Sequence, residues 1–472
     1  MTNPTHRFAA SNDLDAQDRE ALDLDTLGHA FGIIERLVQL VHREPVAEYA
    51  SPDALRQRLD LALASEGIEE GELFEILEQI AETTPRTTGR LFFNQLFGGR
   101  DTHAAAAELI ATILNVSMYT YKVAGPHALI EQELTRRMGD LAGLPDGEGI
   151  FTPGGSLSNM CGMVMARNHA LPESKDQGLA GSRIAVYASE ECHYSVAKNA
   201  GILGFGRSSV RKIDTDNDRR MDPAALRAAI EQDKADGITP VCIIPTSGTT
   251  VLGVFDPIDA IADIAEEHDI WLHVDGALGG SALLSPETRP LMDGIERADS
   301  FAWNMHKMMG APLSTSVVLT KKKGPLTTAF SESATYLFQS ENDELNAGTR
   351  SIQCGRSNEA LKLWAMWKKL GDTGLAERVD HLFAMGQHAA ERVRQEPSLT
   401  LTREPTSVTV CFTAKGIEAP ELCEQLRQRA DAMVGFAIVD GNEVVRLACV
   451  NPQMTSADLD EFFDLLVAVV ED

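Results

Sequence analysis

Between about Leu22 and Ala81, apolar residues recur at helical spacing, as in Phe31, Ile34, Leu37, Val38 and Val41, with a polar turn at Ala50-Ser51-Pro52-Asp53. This pattern predicts a helical N-terminal arm within residues 1–101. Such an arm either clasps a second subunit or packs on its own core, and the pattern leaves both open. From about Thr102 to Thr320 the rhythm changes to short apolar runs alternating with capped helices. Arg183–Ala188, Pro240–Ile244 and Ile270–Val274 are nearly continuous apolar runs, as expected of parallel strands covered on both faces. Asp222-Pro223 and Asp256-Pro257 each read as an N-cap followed by proline at the first helical position. Strand, capped helix and strand in repetition predict an α/β domain over 102–356, built on a doubly wound, mostly parallel sheet. Beyond Ser357, helices are expected at Leu361–Leu370 and Leu375–Arg394. A βαβ-like segment follows, with strands at Ser407–Phe412 and Glu443–Ala448 and a last helix over Ser456–Val470. Residues 357–472 therefore read as a small C-terminal α+β domain.

Composition narrows the classes. At 472 residues the chain exceeds what one hydrophobic core supports, and 43% hydrophobic with 24% charged residues is ordinary for a globular protein. A formal charge of −28 argues against nucleic acid or an anionic membrane as partner, because both require clustered Lys and Arg. No run of about eighteen apolar residues occurs and Met1–Arg19 is polar, so neither an anchor nor a targeting segment is expected. The seven cysteines are scattered without metal-ligand spacing. They predict reduced thiols, a cytoplasmic location and no metal.

The sharpest chemical signal is Trp303-Asn304-Met305-His306-Lys307, which follows Asp275 at the end of an apolar strand. A pyridoxal-5′-phosphate (PLP) enzyme needs a lysine amine to carry the cofactor and a carboxylate to keep its pyridine nitrogen protonated. Ligands of open α/β sheets bind beyond the carboxyl ends of strands, where Asp275 falls. Phe151-Thr-Pro-Gly-Gly-Ser156 opens a helix, and Gly155 and Ser156 suit a phosphate cup, although Pro-Gly-Gly is equally turn chemistry. His193 and Thr246 each follow a predicted strand, within reach of one cofactor, while each alone reads as an ordinary loop residue. Four loops offering what one cofactor needs favour the shared reading.

These residues identify a resemblance. The chain resembles the group II PLP decarboxylases, especially the glutamate and cysteine-sulfinate branch, from about Arg90 to the C-terminus. Phe92–Leu96, Pro153–Ser156, Glu191–Ser195, Thr249–Ile258, Gly294–Asp299 and Gln353–Arg356 carry the match. It implies the aspartate-aminotransferase-like fold (fold type I) and a homodimer with shared active sites. It implies Lys307 as the Schiff-base lysine, Asp275 on the pyridine nitrogen, His193 stacked on one face of the ring and Ala277 on the other. By the same resemblance Gly155, Ser156, Asn304 and His306 surround the phosphate, and Thr246 meets the ring oxygen. Arg356 matches the family's carboxylate-binding arginine, and Gln95 lies where the family contacts substrate. Tyr336 matches the tyrosine of the mobile catalytic loop, where a phenol can return a proton to the substrate carbon while the loop excludes water, with His193 as the second candidate.

Phe97, Ser117 and Tyr119 resemble the cysteine-sulfinate and aspartate-using relatives, so a short acidic substrate is expected, with glutamate as the longer alternative. Lys122, His127, Gly276, Met305 and Ser314 depart from the family pattern and keep 2,4-diaminobutyrate or an aromatic amino acid open. Two other classes compete: an aminotransferase or carbon–carbon lyase on the same cofactor, and a cofactor-free scaffold.

Overall fold

The computed structural model describes residues 16–41, 46, 48–332, 343–429 and 431–471. Its centre is a seven-stranded sheet formed by β2 (Glu148–Thr152), β3 (Ile184–Ser189), β4 (Val210–Ile213), β5 (Thr239–Ile244), β6 (Trp271–Gly276), β7 (Ser300–Asn304) and β8 (Ser316–Thr320). The strand order is β2-β8-β7-β6-β5-β3-β4. The neighbours from β7 through β4 run parallel, whereas β8 is antiparallel to both β7 and β2. β3, β6, β7 and β8 are buried at every residue, which is why their sequences show continuous rather than alternating apolar character.

Helices cover the sheet and carry recognisable ends. α1 (Ala16–Val41) and α2 (Glu70–Thr83) form the N-terminal arm. α3 (Thr102–Leu114) starts where Asp101 accepts from the Ala104 amide at 2.9 Å. α4 (Pro126–Leu141) precedes β2, and α5 (Gly155–Ala170) follows it. α5 is buried without interruption from Ser158 to Ala166, so it lacks the polar stripe of a surface helix. α6 (Ser195–Ile202) follows β3. α7 (Pro223–Ala235) shows the expected Asp222 cap on the Ala224 amide. At α8 (Ile258–His268) the cap expectation fails: Pro257 occupies the N-cap, and the buried Asp256 instead accepts from the amides of Met221 and Thr246, both at 2.7 Å.

The two helices expected after Ser357 both lie within Glu359–Gln395 (α9), on either side of a break at Gly371, whose φ of 63° and ψ of −179° are not helical. A five-stranded sheet then combines β1 (Phe92–Phe93) with β9 (Leu399–Leu401), β10 (Thr409–Ala414), β11 (Met433–Val439) and β12 (Asn442–Ala448), in the order β1-β11-β12-β10-β9. α10 (Ala419–Gln428) and α11 (Ser456–Glu471) back it. The βαβ-like expectation is corrected here, because β9 to β12 pair antiparallel. β1 alone is parallel, and it joins the N-terminal segment to β11.

Candidate active site

The carboxyl ends of β3, β5, β6 and β7 point to one edge of the main sheet, and each is followed by a residue expected at the site. Thr246 and Asp275 are bridge partners just past β5 and within β6, and the Ser247 amide donates to the Asp275 carbonyl at 2.8 Å. Lys307 lies in the connection between the antiparallel strands β7 and β8, half-buried. Burial pushes its amine below the ordinary lysine range. Asp275 opposes that shift and the positive charge of Arg446 adds to it. A neutral amine is the form that attacks a carbonyl carbon.

Asp275 is buried, and its carboxylate accepts from Asn159 Nδ2 at 2.7 Å and from the Ala277 amide at 3.1 Å. His193 is half-buried on the loop after β3, and its Nδ1 lies 2.8 Å from Ser195 Oγ. Burial lowers the His193 pKa, Asp275 works against this, and Lys307 and Lys198 reinforce it, so the ring is held neutral. Gly154 adopts φ 118° at the start of α5, and a Cβ on Gly155 would lie 2.7 Å from the Asn304 amide nitrogen, so only glycine fits there. Asn304 Oδ1 accepts from Ser316 Oγ at 2.5 Å, and the Ser156 carbonyl accepts from Asn199 at 2.8 Å. His306 is buried with Nδ1 against Thr315, and burial beside Lys307 pushes its pKa down to about 4.

These residues pass a test for PLP. Thr246 Oγ1 is buried without a partner among the described residues, as a hydroxyl awaiting the ring's phenolic oxygen would be. The glycine approach to Asn304 sits at the positive end of a sixteen-residue helix, where a phosphate is favoured. Asp275 presents an anchored carboxylate, and Lys307 an amine already biased to its neutral form.

Other expected site residues fall elsewhere. Arg356 is 4% exposed and its guanidinium is spent on Glu131, at 2.6 and 3.2 Å, and on the carbonyls of Met118 and Phe151. The expectation that it clamps the substrate carboxylate meets a guanidinium already engaged in this buried ion pair. Gln95 is exposed and lines a cavity with Arg446 between the N-terminal segment and β11–β12. Phe97 packs its ring 6.0 Å from Phe92. Tyr119 lies against Gly348, and Ser117 is half-buried beside it on the same stretch. Tyr336 lies outside the described residues. Gly276, where the family pattern has alanine, is explained locally: a Cβ there would meet the Phe301 ring at 2.3 Å.

The structure adds residues that the sequence reading missed. Asn159, Ser195 and His273 form a buried polar chain around Asp275. Arg446, on β12, carries a buried Nη1 without a partner among the described residues, and burial lowers its pKa. One signal was available in the sequence: an arginine inside the apolar run Val444-Val445-Arg446-Leu447-Ala448.

The fold and site define a PLP enzyme of the aspartate-aminotransferase-like class, fold type I. Residues 52–415 match the model of the pyridoxal-dependent decarboxylase conserved domain. The chain is 38% identical over 452 residues to the cysteine sulfinic acid decarboxylase of Homo sapiens, covering 91% of this chain and 92% of the relative. It is also 38% identical over 444 residues to the acidic amino acid decarboxylase GADL1 of Mus musculus, covering 89% and 81%. The crystal structure of mouse CSAD superposes with a TM-score of 0.92 at 36% identity, covering 97% of this chain and all of that one. This chain belongs to the pyridoxal-dependent decarboxylase family and is a carboxy-lyase acting on amino acids with PLP as cofactor.

Proposed function

We propose that the enzyme removes the α-carboxylate of a short acidic amino acid, of the cysteine-sulfinate or aspartate type, giving the amine and CO2. The observation that carries the acidic preference is Arg446. A guanidinium with a buried, unpartnered Nη1, close enough to Lys307 to shift its amine, calls for an anion. Clamping the departing α-carboxylate would stabilise the ground state as much as the transition state. Arg446 is therefore assigned to the side-chain acid, with Gln95 beside it.

When bound, PLP supplies the sink for the electron pair left as the Cα–carboxylate bond breaks. Lys307 would hold the cofactor, Asp275 would keep its pyridine nitrogen protonated, and His193 and Ala277 would flank the ring. Gly155, Ser156, Asn304 and His306 enclose the phosphate, and Thr246 donates to the ring oxygen. Tyr336 returns a proton to the Cα, on chemical grounds alone. Phe97, Ser117 and Tyr119 are kept as residues that shape the substrate pocket.

We read the working form as a homodimer. One chain leaves Leu22, Leu24, Phe31 and Val38 of α1 and Leu109, Ile110, Ile113 and Leu114 of α3 exposed, two apolar helix faces that a second subunit would cover. Seven unpaired cysteines fit a reducing, cytoplasmic setting.

The test is CO2 release by the PLP-loaded enzyme from cysteine sulfinate, aspartate, glutamate, 2,4-diaminobutyrate and an aromatic amino acid. Turnover of one acidic substrate, lost in Lys307→Ala and raised at least tenfold in KM by Arg446→Met, is expected. Preference for a basic or aromatic substrate, or amino transfer without CO2, would overturn the reading.

A further inference from the structure

A single buried chain of hydrogen bonds runs from Trp271 to His193, and its donors and acceptors can be assigned in order. Asp275 is a carboxylate and can only accept, so the group facing it at 2.7 Å is the Asn159 amide nitrogen. The Asn159 oxygen then faces His273 Nε2 at 3.1 Å, which must carry a proton. His273 is fully buried, and burial pushes its pKa down to about 4, so the ring is neutral and its Nδ1 is bare. Ser300 Oγ, 2.8 Å away, donates to that Nδ1 while accepting from the indole of Trp271, also at 2.8 Å.

On its other side, the Asn159 amide nitrogen reaches Ser195 Oγ at 3.2 Å. The Ser195 backbone amide, which can only donate, reaches His193 Nδ1 at 3.3 Å, so that nitrogen is an acceptor, and the Ser195 hydroxyl 2.8 Å away turns its proton to it as well while accepting from Asn159. Two donors on Nδ1 leave it unprotonated. The neutral His193 therefore carries its proton on Nε2.

We propose that Asn159 is a positioning residue that sets both sides of the cofactor site at once. It holds Asp275 Oδ2 for the pyridine nitrogen and, through Ser195, fixes His193 as the Nε2–H tautomer. A ring in that state presents a donor, not a base, to whatever faces its far nitrogen. Decarboxylation fits a donor there, because a bare nitrogen could abstract the Cα proton and divert the substrate toward transamination. The second half of this inference rests on the proposed decarboxylase reading; the tautomer and the Asp275 contact do not.

The experiment uses full-length protein labelled with 15N-histidine, with the His193 tautomer read by long-range 1H–15N correlation in apo and PLP-loaded forms, alongside PLP affinity by absorbance titration. Wild type is expected to show Nε2–H. Asn159→Leu, of similar volume and without a donor, is expected to weaken PLP about ten- to hundredfold, the loss of one charge-assisted bond, and to mix the tautomers. Ser195→Ala is the milder variant should Asn159→Leu fail to fold. It keeps the Asn159–Asp275 bond, so PLP affinity is expected to stay within about twofold while His193 loses its single tautomer, and Ser195→Thr restores it. An Nδ1–H tautomer in wild type overturns the proposal. So does unchanged PLP affinity in a folded Asn159→Leu, or a Ser195→Ala protein whose His193 is unaltered. A protein that shows the expected tautomer but releases no CO2 would sink the decarboxylase reading and leave the positioning role standing.

Discussion

The backbone amide of Thr246 donates to Oδ2 of Asp256 at 2.7 Å, while the Thr246 hydroxyl, on the same residue, is buried without a partner among the described residues. One buried carboxylate thus holds the loop that carries Thr246. Asp256 is buried, and this raises its pKa from 3.8 to about 6, against the two amides that favour its charge.

Opposite shifts set a pH dependence of stability. Asp256, raised, contributes most below its unfolded pKa of 3.8, and that contribution is lost as pH rises through about 6. His273 and His306, both lowered from 6.5 to about 4, contribute fully above 6.5 and lose their contribution as pH falls through about 4. Between pH 6.5 and 4 two histidines act against one carboxylate, so apoprotein stability should fall on acidification by on the order of 2–4 kcal/mol. Thermal unfolding of the apoprotein from pH 7 to 4.5 checks this; a Tm that is flat or rises on acidification would refute the buried neutral state of the two rings.

Two arginines should separate cleanly. Arg356→Met strands Glu131 in the interior and should cost about 3–5 kcal/mol of stability. Arg446→Met removes a guanidinium with an unpaired Nη1 and should leave Tm within about 2 °C while raising KM for an acidic substrate. Denaturant unfolding and steady-state kinetics on both variants read the contrast. Equal stability losses would remove the distinction drawn between them.

The sequence singled out Lys307 and Asp275 because a strand end in an α/β pattern is a geometric position as well as a residue type. Asn159 was not legible: its partner Asp275 is 116 positions away, and a polar residue in Ser-Leu-Ser-Asn-Met reads as one side of an ordinary helix. The ion pair of Arg356 was hidden for the same reason, since Glu131 lies 225 positions earlier. β11 escaped notice because its burial alternates through Met433–Val439 while its sequence is apolar nearly throughout. What local pattern cannot carry is which distant segment crosses behind a residue, and both the polar chain and the second sheet depend on that.

Gly162 shows how close that crossing is. A Cβ at this position of α5 would lie 2.3 Å from His273 Nδ1, so the helix touches β6 only because a side chain is missing. Gly162→Ala should destabilise the protein by about 1–3 kcal/mol and weaken PLP by displacing the ring that supports Asn159. Tm and PLP titration on the variant test it; retained affinity with a lowered Tm would limit the close contact to packing.

The parallel pairing of Phe92–Phe93 with Met433–Val434 sets an order on the life of the chain. A ribosome releases the first of these strands some 340 residues before its partner exists. Until then two phenylalanines that end almost wholly enclosed have nothing to cover them, and Gln95 has no Arg446 to stand beside. Bringing Gln95 and Arg446 to one cavity is therefore among the last events of synthesis, and a nascent chain stalled before β11 would hold Lys307, Asp275 and an exposed aromatic pair, inviting chaperones before that cavity could form.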